Sequence, residues 1–373
     1  VRIGLTSQDF LGWQGGRELF ALIGSALLES LEPGDTLSHV PRAGQENVVR
    51  RFRRLLRPAP APPDFALPIA QEQACDVLGP FVVPPIRPRA PILGFVPDLQ
   101  HRHLPQLFSP RELAGRDRVF GALLAEAGAV LVNSRAAEQD LRRFYPGAKA
   151  RIVTLPFAAC PEPDWFETEV GVPARYGIEG PFFLCSNQFW KHKNHGLLLE
   201  AAALARREGA PVRIVMTGAT TDYRHPHHHA QLLQQIERTG IGEDVHLLGF
   251  IPKQDQLALM RAAVAVVQPS LFEGGPGGGA VYNAIALGRP AIVSDLPVNR
   301  EIETKVAGFF DPGDPADLLR ALRAVAAMDW LQETPDALLR AGQAGRRAFG
   351  QALHEAFAAA AQEKPGSSRS SDA

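Results

Sequence analysis

The chain has 373 residues, 45% hydrophobic and 21% charged, which at roughly 100–200 residues per domain fits two globular domains, each able to bury its own core. Its 39 basic and 40 acidic side chains leave a net charge of −1, which argues against a general nucleic-acid binder, a class that is normally clearly basic. Cys75, Cys160 and Cys185 are too widely spaced for a disulfide framework or paired metal ligands, and no run approaches the ~20 apolar residues that span a bilayer.

In chain order, apolar strand-like runs alternate with helical patterns. The chain starts at Val1 rather than Met, so its native start is expected to be trimmed or to lie upstream, and no signal-peptide pattern is visible. The strand Val1–Leu5 leads into Gly12-Trp13-Gln14-Gly15-Gly16 and a helix over Glu18–Leu28. Adjacent glycines let a backbone approach a ligand, so Gly15 and Gly16 are candidates for donor binding, although the Gly-x-Gly-x-x-Gly spacing is incomplete. Arg50, Arg51, Arg53, Arg54 and Arg57 then crowd an amphipathic helix. Such a helix either lies on an anionic membrane surface or is merely solvated. The proline-dense connector Pro58–Pro63 follows.

The strand Ile92–Val96 runs into Pro97-Asp98-Leu99-Gln100-His101-Arg102-His103-Leu104-Pro105. A core would not select these side chains, and ligands bind where strands of this kind end. His101 can orient or polarise a substrate hydroxyl, with Asp98 holding the imidazole or the acceptor; the plainer reading is a loop whose histidines pair locally. The strand Ala129–Val132, the helix Ala136–Phe144 and the strand Ile152–Leu155 close the first half.

Cys160–Pro181, rich in Pro, Gly and acidic residues, reads as a linker. Beyond it, Phe182–Cys185, Arg213–Thr217, Val245–Leu248, Ala263–Gln268 and Ala291–Val293 are short apolar strands, each followed by a helical or loop segment. This alternation predicts two doubly wound α/β domains, 1–160 and 181–336. A long alanine-rich helix around Ala337–Ala361 fills 337–363, and the Ser-rich stretch 364–373 is expected to be disordered.

Two segments of the second half carry the strongest chemical signal. Ser186–His195 follows a strand and precedes the helix Gly196–Arg206. Lysines at a helix N-terminus face its partial positive charge, a conflict that a bound polyanion resolves. Lys193 is the candidate diphosphate ligand, with Asn187 and Gln188 beside it; Lys191 reads equally well as a solvated surface residue. The second segment is Pro269–Ala280, with five glycines among the six residues Gly274–Gly279, ahead of a helix Val281–Gly288. Ordering so many glycines is entropically costly, and suits a loop whose amides wrap a ligand. Gly274, Gly275, Gly277, Gly278 and Gly279 are therefore donor-binding candidates. Glu273 would accept hydrogen bonds from sugar hydroxyls or stabilise developing positive charge, and Asn283, in the first turn of the helix, would bind a ribose hydroxyl. The histidines His225, His227, His228 and His229 read as a surface loop rather than a metal site.

Together these segments resemble the retaining glycosyltransferases of family 4. Asp98–Pro105 is similar to the family's Asp-x-Gln-His segment before Leu-Pro. Asn133-Ser134 is similar to a strand end before a helix, Asn187–His195 to the diphosphate loop, and Pro269–Glu301 to the donor-sugar loop. The resemblance implies a GT-B fold, two doubly wound Rossmann-like domains facing each other across a cleft, with the last helix packing back on the N-terminal domain. It implies a hexosyltransferase moving a mannose- or glucose-like sugar from a GDP- or UDP-sugar to a saccharide or lipid-linked acceptor. His101, Glu273 and Asp98 are the catalytic positions it suggests, with no metal and no other cofactor. Polysaccharide assembly in the cytoplasm, or on the inner face of the cytoplasmic membrane, is the implied setting. The sequence departs from the family in two places. Gln188 stands where an Arg is usual, and Asn283 stands ten positions after Glu273 where a Glu is usual at about eight. Two alternatives stay open, a nucleotide-sugar epimerase and a non-catalytic sugar-nucleotide-binding subunit.

Overall fold

The computed structural model describes residues 1–12, 14–41, 67–167, 169 and 171–362. The arginine cluster at 50–57, the connector 58–63 and the tail 364–373 lie outside the described residues. The chain divides into two compact units. The first comprises the described residues within Val1–Leu99, Pro110–Pro156 and Arg346–Ala373, and the second Gln100–Ser109 and Phe157–Gly345.

The first unit holds six strands: β1 (Arg2–Leu5), β2 (Thr36–His39), β3 (Val77–Phe81), β4 (Ile92–Phe95), β5 (Ala129–Val132) and β6 (Arg151–Thr154). They form one sheet in the order β2-β1-β3-β4-β5-β6, and every pairing is parallel. Parallel neighbours need crossovers, supplied by helices such as Gln14–Ser30, Pro110–Glu126 and Arg135–Phe144. The last is capped by Ser134, whose hydroxyl accepts the Ala137 N–H at 3.0 Å. Leu78, Ile92, Val130 and Leu123 are among the side chains of its core.

The second unit repeats the plan with β7 (Phe183–Ser186), β8 (Ile214–Thr217), β9 (Val245–Gly249), β10 (Ala265–Gln268), β11 (Ala291–Ser294) and β12 (Val306–Phe310), in the order β12-β11-β10-β7-β8-β9, again all parallel. The period-2 geometry of a strand divides its side chains between two cores. Phe183, Cys185, Ile214, Met216 and Val267 pack on one face, and Leu184, Val215 and Val266 on the other. Strand order reverses between β7 and β10, and in such sheets the crevice beyond the carboxyl ends of the two strands is where ligands bind. Both glycine- and lysine-bearing loops leave from those two strands.

Three strands were not predicted from sequence. β2 is a short, half-polar edge, β3 contains Gly79-Pro80, which reads as a turn, and β12 pairs with β11 through a register shift. The chain passes from the first unit to the second between Pro156 and Phe157, ahead of Cys160–Pro181, which itself holds the helical turns Pro163–Phe166 and Val172–Arg175. The helix Pro335–Gln362 groups with the second unit up to Gly345 and with the first from Arg346. Among the described residues no helix is long and apolar enough to cross a membrane.

Candidate active site

The site is built on Gln268, the last residue of β10, which is fully buried. A buried amide must find partners for both ends. Its Oε1 accepts from Asn187 Nδ2 at 2.7 Å, and its Nε2 donates to Ser270 Oγ at 3.1 Å and to Glu273 Oε1 at 2.6 Å. The Glu273 carboxylate is thereby fixed over the strand end. On its other side, Lys193 Nζ donates to the same Oε1 at 2.6 Å. Both side chains are largely withdrawn from water, 17% exposed for Lys193 and 8% for Glu273. Leu271 N–H donates to His192 O at 2.8 Å and ties the two loops together by their backbones.

The glycine loop is tighter than its composition implies. The helix runs Gly278–Ala286, so Gly278 and Gly279 are its first residues rather than part of the loop, and Asn283 is in the second turn, not the first. Gly278 has φ of 66°, and a Cβ there would lie 2.9 Å from Glu273 Oε2. Only glycine allows both the left-handed backbone and the close carboxylate. The Gly277 N–H is already bonded to Asn299 Oδ1 at 2.8 Å, and Asn299 Nδ2 donates to Ser294 O at 2.9 Å. Gly279 is exposed with open space where its side chain would be, at a helix end whose first N–H groups have no intrahelical acceptor.

Charge at the site follows from this packing. Burial, with Lys193 and Arg224 nearby, holds the His192 imidazole neutral by lowering its pKa well below the usual range. Burial and the charges of Glu301 and Glu273 push the Tyr282 phenol upward. Burial likewise raises the Cys185 thiol to about 12, so it is no nucleophile.

The remaining predicted residues divide between the units. In the second unit, His101 is buried on the helical turn Gln100–His103, and its ring meets Phe108 edge-on at 6.4 Å. The ring of His103 in the same turn lies tilted against Phe272, the neighbour of Glu273, with centroids 5.1 Å apart. Gln188 is exposed, whereas Asn187 is buried with its amide donating to Gln268, so it serves as a strut. In the first unit, Asp98 accepts from Arg116 Nη2 at 2.5 Å. Gly15 and Gly16 also lie there, inside the helix Gln14–Ser30 and not in a turn before it. The histidines at 225–229 are not all loop: His228 opens the helix His228–Thr239 and is buried. Gln268, Ser270, Asn299 and Arg224 carry no signal in the sequence, because a single polar residue at or after a strand end makes no local pattern.

Residues 175–346, which contain both loops, match the family model described as glycosyl transferases group 1. Mannosylfructose-phosphate synthase of Agrobacterium fabrum is 29% identical over 148 residues, 39% of this chain and 32% of that protein, so the chain matches about a third of its curated relative's length. Among solved structures, Anabaena HepE in complex with UDP and glucose is 18% identical with a TM-score of 0.62, covering 96% of this chain and 99% of the other. Sucrose-phosphate synthase from Thermosynechococcus elongatus is 17% identical with a TM-score of 0.59, covering 97% and 96%. The fold is therefore GT-B, two doubly wound Rossmann-like units, and the stretch similar to the glycosyl transferases group 1 model lies in the second unit, apart from Arg346 at its end.

Proposed function

We propose that the chain is a retaining glycosyltransferase that moves a hexose from a UDP- or GDP-sugar onto a saccharide or lipid-linked acceptor, without a metal. The observation that carries this reading is the Lys193–Glu273 contact at the switch point of the second sheet, beside the start of the helix Gly278–Ala286. A cation and helix amides suit a diphosphate, and a fixed carboxylate suits sugar hydroxyls. UDP and glucose in the HepE structure, and UDP-glucose in another, support a UDP-sugar as donor.

In this reading the acceptor hydroxyl attacks the anomeric carbon from the face that the nucleoside diphosphate leaves. The carbon–oxygen bond to the β-phosphate breaks, the new glycosidic bond forms, and the acceptor proton passes to the departing phosphate oxygen. Lys193 shifts from Glu273 to the phosphate and stabilises the charge that develops there. Glu273, still held by Gln268, accepts from sugar hydroxyls and steadies the oxocarbenium-like state. His101 positions a substrate hydroxyl from the Gln100–His103 turn, and the exposed Gly279 amide faces the diphosphate. Assembly of a cell-surface polysaccharide on the cytoplasmic face of a membrane, with the arginines at 50–57 against anionic lipid, is the setting this chemistry fits.

The test is the anomeric configuration of the product. The purified chain is incubated with α-linked UDP- and GDP-hexoses and saccharide or lipid-linked acceptors, and the product is read by proton NMR. An α-linked product agrees with retention and a β-linked product refutes it. Nucleotide binding with no product from any pair favours a non-catalytic binding subunit.

A further inference from the structure

A half-buried guanidinium with no ion pair among the described residues lies beside the diphosphate loop. Arg224 follows β8, and its backbone N–H donates to Asp222 Oδ1 at 2.9 Å. Asp222 Oδ2 accepts the Lys191 N–H at 3.0 Å, so this one carboxylate, only 2% exposed, locks the Arg224 turn to the Lys191–Lys193 turn. Both of its oxygens are taken by backbone amides. The guanidinium lies over two rings, 4.3 Å from the centroid of Phe108 and 4.5 Å from that of Trp190. Among the described residues its one side-chain hydrogen bond is a long one, Nη1 to Gln100 Oε1 at 3.4 Å, and its buried Nε has no partner. No carboxylate among the described residues forms an ion pair with it.

Aromatic faces hold a cation in place without neutralising it or filling its N–H groups, and a guanidinium carries five. A partly withdrawn cation with unfilled N–H groups is well placed to take an anion. Lys193 is engaged by Glu273, and Gln188 is neutral. We infer that Arg224 is the second cation of a phosphoryl-binding site, presenting its planar fork to phosphate oxygens beside the Lys191–Lys193 turn. Arginine suits this place because its fork pairs with two oxygens at once while its face stays stacked. The phosphoryl group belongs either to the donor's diphosphate or to a phosphorylated sugar acceptor. The inference rests on the donor-binding reading of Lys193.

The experiment is isothermal titration calorimetry of the full chain and its Arg224→Gln and Arg224→Lys variants with UDP, GDP, uridine, guanosine and fructose 6-phosphate. If the donor supplies the phosphate, Arg224→Gln weakens the nucleoside diphosphate by roughly tenfold to a hundredfold and leaves the matching nucleoside unchanged. If the acceptor supplies it, the same loss falls on fructose 6-phosphate alone. Arg224→Lys keeps the charge but not the fork and shows an intermediate loss, which keeps the test valid if the glutamine variant misfolds. Unchanged binding of every phosphorylated probe by both variants overturns the inference while leaving the donor reading intact. A wild-type chain that binds none of those probes overturns both.

Discussion

Lys193 Nζ lies 2.6 Å from Glu273 Oε1, joining loops 80 residues apart in sequence through one ion pair. Removing either partner strands a desolvated charge, so Lys193→Met and Glu273→Gln should each destabilise the chain by about 1–3 kcal/mol. The double variant should cost less than the sum of the two. Urea denaturation of the four proteins checks this; strict additivity would mean the contact is not formed in solution.

Gly278→Ala should damage the site out of proportion to its size. The new Cβ would lie 2.9 Å from Glu273 Oε2 on a backbone with φ of 66°. The expected stability loss is about 1–2 kcal/mol, with transfer falling at least tenfold because the carboxylate is displaced. Wild-type kcat in this variant would show that the position of Glu273 is unimportant.

Gln268→Leu fills the same space but breaks three hydrogen bonds, leaving Asn187 and Glu273 without their shared partner. Loss of stability should be about 2–3 kcal/mol, and it should be accompanied by a weaker nucleoside diphosphate affinity. A thermal melt with and without UDP or GDP separates the two effects.

His195 gives a pH prediction. It is fully buried, stacked on Phe189 at 4.4 Å, and neither ring nitrogen has a hydrogen-bond partner among the described residues. Burial lowers its pKa to about 3. The unfolded chain takes up a proton near pH 6.5 and the folded chain does not. The stability is therefore whole above pH 6.5, declines as the pH falls, and its loss is complete near pH 3. His195→Leu should remove this component, so that between pH 7.5 and 5 the wild type loses about 2 kcal/mol more than the variant. Parallel stability curves for the two proteins would contradict it.

The legible parts of this molecule are those with a local pattern. β5 and β7 are continuous apolar runs buried on both faces, and the glycine density after β10 marks a loop at a strand end. The glycines themselves misled at the boundaries. Gly15, Gly16, Gly278 and Gly279 read as loop, yet Gly15, Gly16 and Gly279 are in the first turns of helices, and Gly278 opens its helix from a left-handed backbone. Gln268 and Arg224 were illegible for another reason. Their partners, Asn187 and Gln100 among them, are 81 and 124 residues away, and no window of sequence brings them together.

The most direct test compares nucleoside diphosphate release from UDP- and GDP-hexoses, with acceptor present, by the wild type, Lys193→Met and Glu273→Ala. The wild type should release nucleoside diphosphate from at least one donor, and each variant should lose at least about a hundredfold in rate with the fold retained by circular dichroism. Wild-type rates in either variant would contradict the assignment of the Lys193–Glu273 pair as the place where the sugar is transferred.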